Sequence, residues 1–225
     1  MARILYELKG LDDRRYSLFS WRARLALAHK QLPAEMVGVR VTDKAAIAFS
    51  GQAYVPILVD GDRTIPDSWA IATYLEETYP DSPSLFGGAP TLGIARFVNY
   101  WVDRQVIPAV APLVVCDLMT KVDQEDGAHL RKQLETAFGG DIEKMRDERP
   151  SRRKNLRRVL DPVRATLKHQ AFLCGNEAMY PDYIVFSVLQ WARIISDYEL
   201  LDTDDPLWHW RERILNLFDG LARGV

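Results

Sequence analysis

YVPILVDGDRTIPDSWAIATYLEETYP, residues 54–80, is the stretch whose reading decides the fold. Its apolar run from Val55 to Val59 ends at Asp60-Gly61-Asp62, a pattern of strand, tight turn and strand. After Arg63-Thr64-Ile65 come Pro66-Asp67-Ser68, and then Ile71, Tyr74, Leu75 and Thr78 recur at helical spacing until Pro80 stops the helix. Three features suit a small acidic peptide. A cis Val55-Pro56 bond would turn the Val55 backbone outward, free to pair with a peptide. A helix starting at Asp67-Ser68 offers a carboxylate unpaired N–H groups, a positive dipole end and the Ser68 hydroxyl. Asp67 itself is an acceptor for an ammonium group. Singly, each has a plainer use as an edge proline or a helix cap. Their order in one stretch points to a site for something like a γ-glutamyl tripeptide.

Working outward toward the start of the chain, Ile4 to Leu8 reads as a strand ended by Gly10, and Leu11 to Arg15 as polar loop. Residues 17–30 read as a helix starting near Ser17, with Trp21, Leu25 and Ala28 on one face and Arg22 and Lys30 off it. Alternation through Val37, Val39 and Val41 predicts a second strand over 33–41, and 43–49 a short helix or turn. The order strand, helix, strand, short helix, strand, strand, helix is that of an α/β thioredoxin-like sheet.

Toward the other end, residues 81–92 are rich in proline, glycine and serine and read as a linker. No convincing strand follows. A long helix is expected over 94–115, kinked or divided by Pro108 and Pro112. Residues 122–158 are densely charged, with breaks at Phe138-Gly139-Gly140 and at Pro150, and three more helical patterns cover 162–172, 182–198 and 206–221. The expected organisation is therefore an α/β domain over 1–80, the linker, and an all-α domain over 93–225.

Composition narrows the chemistry. With 48% hydrophobic and 27% charged residues over 225 positions the chain is an ordinary globular one, and a formal charge of -2 gives no long-range attraction to nucleic acid or an anionic membrane. Cys116 and Cys174 are too few and too isolated for a disulfide framework, and no signal peptide or long apolar run is evident, so a reducing, cytoplasmic location is expected. His29, His129, His169 and His209 lack metal-ligand spacing, so no metal is expected. There is no GxSxG, phosphate loop or dinucleotide fingerprint. The basic residues Arg152, Arg153, Lys154, Arg157 and Arg158 have acidic neighbours on a predicted helix and read as a solvated face.

On these residues the chain resembles a cytosolic glutathione transferase over nearly its whole length. Val55-Pro56 matches the family's cis-proline position, and Asp67-Ser68 its acidic-serine pair for the γ-glutamyl group. More narrowly, the Trp21-Arg22 pair in the first helix, Phe138-Gly139-Gly140 and the ending DDPLWHWRERILNLFDGLAR resemble the β-etherase-like, serine-type branch of bacteria and fungi, some members of which cleave aryl ethers. The resemblance implies glutathione as co-substrate, with its own thiol as nucleophile, a hydrophobic small molecule as acceptor, and a homodimer. It implies Ser17 as the catalytic hydroxyl, with Tyr16, Ser20 and Tyr6 as fallbacks because Leu18 stands where many relatives carry proline or a small residue. Glutathione would be held by Gln52, Val55, Asp67 and Ser68, with Tyr54 close by. Phe19, Trp101, Arg104, Gln105 and Pro108 are the candidates for the acceptor pocket between the domains. Asp182 matches a buried structural aspartate, although the usual serine or threonine cap before it is Met179 here, with Pro181 fixing the backbone. A carrier that binds hydrophobic or phenolic molecules without catalysis is the alternative.

Overall fold

The computed structural model describes residues 3–224. Its sheet has four strands, β1 (Arg3–Leu8), β2 (Glu35–Val39), β3 (Ile57–Asp60) and β4 (Arg63–Pro66), in the order β2-β1-β3-β4. β1 and β2 are parallel because α1 (Leu18–His29) crosses between them, and β3 and β4 form the antiparallel hairpin expected from Asp60-Gly61-Asp62. β3 also lies antiparallel to β1, with Tyr6 opposite Ile57, while Ile57 faces Pro66 of β4. The end of β1, the start of β3 and the end of β4 therefore meet at one end of the sheet. α2 (Ser68–Thr78) closes the domain against β3, β4 and α1. The fourth expected element is a 3-10 turn, Ala45–Ser50.

The helical domain contains α3 (Ala89–Trp101), α4 (Ile107–Leu118), α5 (Gln124–Phe138), α6 (Lys144–Asp147), α7 (Arg149–Val159), α8 (Asp161–Leu167), α9 (Tyr180–Ile195) and α10 (Pro206–Leu215). α5 ends where expected, with Gly139 at φ 70° supplying the left-handed residue of its C-cap. The long helix differs from expectation in two ways. It begins at Ala89, inside the stretch read as linker, with Pro90 in the first turn, where a missing N–H costs nothing. It is interrupted before Pro108, by one π turn, Val102–Val106, in which the Ile107 N–H reaches back to the Val102 carbonyl. Proline at 108 has no N–H for the Arg104 carbonyl and its ring crowds that turn, so the helix widens there, while Pro112 is carried inside α4.

α9 is the hub of the molecule: every residue in it except Arg193 is buried. Asp182 in its first turn is fully buried, and its carboxylate accepts hydrogen bonds from the Met179 N–H (3.1 Å), the Leu173 N–H (2.8 Å) and the Trp210 indole N–H (2.8 Å). With methionine at the N-cap, the aspartate alone supplies the side-chain half of the cap.

α1 runs between the sheet and α9, touching α2 as well, so it buries more than one face. The expectation that Arg22 and Lys30 lie off the buried side is corrected: both are buried. Arg22 donates to Ser187 Oγ (3.2 Å), Asn99 Oδ1 (2.9 Å) and Asp103 Oδ1 (2.8 Å), tying α1 to α9 and to the α3 segment. Lys30 donates to Glu76 Oε2 at 2.9 Å. Glu76 also accepts from the Leu85 N–H (2.9 Å) and the Ser84 hydroxyl, so the connection between the domains is pinned to the end of α2. Although burial acts to raise the Glu76 carboxyl, these donors hold it below its ordinary value.

Candidate functional site at one end of the sheet

Three backbone features converge at the sheet end defined above. The first is the start of α1, which follows β1 and is capped by Ser17, whose Oγ accepts from the Ser20 N–H at 3.3 Å. That bond uses a lone pair and leaves the hydroxyl proton available to a ligand. Among the described residues the Leu18 and Phe19 N–H groups have no acceptor, as the first turn of a helix requires. The loop before Ser17 is held by buried Glu7, which pairs with Arg15 at 2.9 Å, while the Arg15 carbonyl accepts from the Trp21 indole at 2.9 Å. Burial raises the Glu7 carboxyl above its ordinary value, against the pull of Arg24 and Arg15.

The second feature is the cis Val55-Pro56 bond, present as expected. The Pro56 carbonyl accepts from the Asp67 N–H at 3.1 Å, continuing the β3–β4 ladder one step past its end. Neither the N–H nor the carbonyl of Val55 is taken by another group among the described residues. The third is the start of α2. Asp67 is its N-cap, and one carboxylate oxygen accepts from the Trp69 N–H (2.9 Å) and the Ala70 N–H (3.0 Å). The other oxygen is free among the described residues, and the side chain is exposed. The plain capping role and an acceptor role thus coexist on one residue. Asp67 sits at φ 75°, ψ 134°, a backbone region that costs a non-glycine residue roughly 1–3 kcal/mol and is found preferentially at ligand sites. Ser68 is buried, and its carbonyl accepts from the Tyr180 hydroxyl at 2.8 Å, which locks the start of α2 to the start of α9. An aromatic contact of Trp69, Phe86 and Tyr180, with ring centroids 5.4–5.9 Å apart, seals the same joint.

The remaining candidates are placed as follows. Gln52 is exposed, and its side chain makes no hydrogen bond among the described residues, while Tyr54 is exposed beneath the Lys44 ammonium. Tyr16 and Ser20 are buried with hydroxyls that have no partner among the described residues, and burial raises the Tyr16 phenol. Tyr6 stacks on Phe49 at 5.1 Å beside the small cluster of Val39, Ile47 and Ile57, a packing position.

Two of the acceptor candidates, Trp101 and Pro108, line different cavities. Phe19 lies under the Arg22 guanidinium, and Arg104 stacks on Tyr100. Trp101 lines an apolar cavity of about 330 Å³ with Ile94, Phe97 and Val98 of α3, Val163 of α8 and Cys174. Pro108 lines a different one, with Pro112 and residues of α7. The β1–α1 loop rests directly on the turn after α4: the Leu11 N–H donates to the Lys121 carbonyl at 2.9 Å, and a Cβ on Gly10 would stand 2.3 Å from that oxygen. A second bridge runs from Arg40 to Asp123 (2.8 Å) and from the Thr42 hydroxyl to buried Asp126 (2.6 Å). Sequence reading missed this joint, because nothing in its short polar segments marks them as partners.

Neither cysteine is poised as a nucleophile. Burial raises both thiols, Cys174 to about 11. No group of three metal-binding side chains occurs among the described residues, nor a helix long and apolar enough to cross a membrane. The basic run on α7 is largely spent on ion pairs, Arg152 with Glu148 and Arg153 and Arg157 with Asp202.

Comparison with known proteins gives consistent results. Residues 11–83 match the family model described as glutathione S-transferase, N-terminal domain, and residues 93–213 that of the C-terminal domain. A zeta-class glutathione S-transferase of Euphorbia esula is 36% identical over 44% of this chain and 46% of its own length. A probable maleylacetoacetate isomerase of Caenorhabditis elegans is 33% identical over 51% of this chain and 55% of its own. The chain spans about half the length of the curated relatives it matches. Among solved structures, a glutathione S-transferase of Ceriporiopsis subvermispora in complex with glutathione superposes with a TM-score of 0.84, covering 100% of this chain and 99% of that one at 20% identity. At that identity the likeness speaks for the fold.

Proposed function

The chain belongs to the glutathione S-transferase family, and from that premise we propose that it binds glutathione at the sheet end and promotes attack of the glutathione thiolate on a hydrophobic or aromatic electrophile. The observation that carries this reading is the convergence of two helix starts and the unpaired Val55 backbone at one end of the sheet. Val55 pairs with the peptide backbone, Ser68 and the α2 N-terminus take the γ-glutamyl carboxylate, and the free Asp67 oxygen takes its ammonium group. The thiol then lies toward Ser17. A thiol of pKa ~8.5 is mostly protonated at neutral pH, and the Ser17 hydroxyl, with the Leu18 and Phe19 N–H groups, stabilises the anion. Each tenfold gain in thiolate corresponds to about 1.4 kcal/mol of such preference.

The sharper form of the proposal is aryl-ether cleavage. The thiolate forms a C–S bond at the carbon bearing the ether oxygen, the C–O bond breaks, and the phenolate leaves and takes a proton from solvent. Its support is the Trp21-Arg22 pair, the Phe138-Gly139-Gly140 break and the closing DDPLWHWRERILNLFDGLAR segment. We place the enzyme in a reducing cytoplasm and read it as a homodimer, with the exposed Ile94, Phe97 and Tyr100 on α3 as the apolar face for pairing. The carrier reading has its own support in the 330 Å³ apolar cavity, a volume suited to a small hydrophobic molecule.

Two substitutions test the site. Asp67→Asn retains a capping side chain, so the melting temperature stays unchanged, but it removes the charge that meets the ammonium group. Calorimetric titration is expected to show glutathione bound about tenfold more weakly, the loss of one charge-assisted hydrogen bond; equal affinity would refute the assignment of Asp67. Ser17→Ala is expected to lower turnover of a generic aromatic electrophile by roughly tenfold to a hundredfold, with little change in glutathione affinity. Full turnover in that variant would transfer the role to the backbone N–H groups.

A further inference from the structure

At the far end of α9 one guanidinium has no carboxylate partner among the described residues. Arg193, Arg211, Arg223, Glu199 and Glu212 form one cluster, three guanidinium groups against two carboxylates. Both carboxylates are committed: Glu199 takes Arg211 through two contacts, at 2.8 and 3.2 Å, and Glu212 takes Arg223 at 2.8 Å and Arg211 at 3.9 Å. Arg193 has no carboxylate within reach among the described residues. Its hydrogen bonds go to neutral acceptors, Gln190 Oε1 at 3.1 Å and the Ala222 carbonyl at 2.6 Å. Holding a half-buried cation against a second cation is unfavourable unless something compensates it.

Arg193 and Arg211 both line a cavity of about 240 Å³ whose wall also includes Ser196, Tyr198 and the apolar side chains Leu189 and Leu200. The Arg211 side chain is only 5% exposed, and its Nε–H has no acceptor among the described residues. The other charge on this cavity is Asp197, exposed at its rim, besides the committed Glu199. The carbonyl end of α9 opposes an anion here, but the Ile194 carbonyl is already covered by Arg14 at 3.1 Å.

We propose that this cavity is a binding site for a small monocarboxylate with an apolar body, the carboxylate meeting Arg193 and the body lying on Leu189 and Leu200. The site belongs to the helical domain, none of its lining residues is among those assigned to glutathione, and it requires no part of the transferase chemistry. A ligand carboxylate gives Arg193 the charged partner it lacks, and its planar shape matches the guanidinium fork.

Benzoate is a suitable probe. Titrated into the full chain at constant ionic strength with saturating glutathione present, it is expected to bind saturably and to move the Arg193 Nε–H resonance in a nitrogen-correlated spectrum. Arg193→Gln, which keeps a donor toward Ala222, should weaken benzoate at least tenfold, and Arg193→Lys should restore part of the affinity. Glutathione binding should be the same in all three proteins, so failure here is distinguishable from failure of the transferase reading. No saturable binding to the wild type, an unmoved Arg193 resonance, or equal affinity in Arg193→Gln would each overturn the site.

Discussion

Asp182→Ala is expected to lower the unfolding free energy by about 4 kcal/mol, because three buried donors lose their acceptor at once and each unsatisfied donor costs roughly 1–3 kcal/mol. The donors belong to three separate pieces of chain: Leu173 in the loop before α9, Met179 at its N-cap and Trp210 on α10. Losing the carboxylate therefore loosens the docking of α10 as well as the helix start. For a chain of this length the melting temperature should fall by roughly 10 °C. Glutathione affinity, measured well below that transition, should hardly change. A variant with unchanged melting and lost glutathione binding would contradict the structural role. The same residue gives a pH signature. Burial pushes its carboxyl up to about 6 in the folded state, against the three donors, from an ordinary value of 3.8. The folded state then binds more protons than the unfolded one between those values. This group's contribution to stability is complete below the lower value and is lost as pH rises through the upper one. Asp182→Asn cannot ionise, so the melting difference between wild type and this variant should shift in the variant's favour between about pH 5 and about pH 7.

Arg22→Met should cost about 3 kcal/mol, the lower end for breaking a buried ion pair, since Asp103 keeps 31% of its side-chain surface exposed. Methionine fills much of the volume but leaves Ser187 on α9, Asn99 on α3 and Asp103 in the π turn without their common donor. These contacts help fix α1 to the helical domain, and Ser17 caps the same helix five residues before Arg22. Turnover should consequently fall more than glutathione affinity, as the Ser17 hydroxyl loses its fixed position relative to the thiol. Chemical denaturation of wild type and variant reads the first effect, and the split between kcat and KM reads the second.

Much of the N-terminal half was legible because its cues are local. Asp60-Gly61-Asp62 dictates a hairpin, Pro66-Asp67-Ser68 a helix start, and the pattern over 17–30 a helix beginning near Ser17, and all three occur as read. The helical half was legible as helices, but its boundaries moved where proline acts at a distance: Pro108 displaces the break into the preceding turn, where Val102–Val106 widens. Arg22 and Lys30 were misread because helical periodicity assumes one buried face, whereas α1 is enclosed by the sheet, α2 and α9. The acceptor side was the least legible. Trp101, Arg104, Gln105 and Pro108 share helical spacing and Phe19 stands apart on α1, while the contacts that join the two domains, Leu11 with Lys121 and Arg40 with Asp123, link segments more than 80 residues apart in the chain.

The most direct test of the central claim is a pH titration of glutathione's ultraviolet thiolate absorbance in the presence of stoichiometric protein. The proposed site predicts an apparent pKa at least about one unit below the ~8.5 of a free thiol, moving back toward it in Ser17→Ala. A thiol that titrates at its free value when bound to the wild-type protein would contradict it.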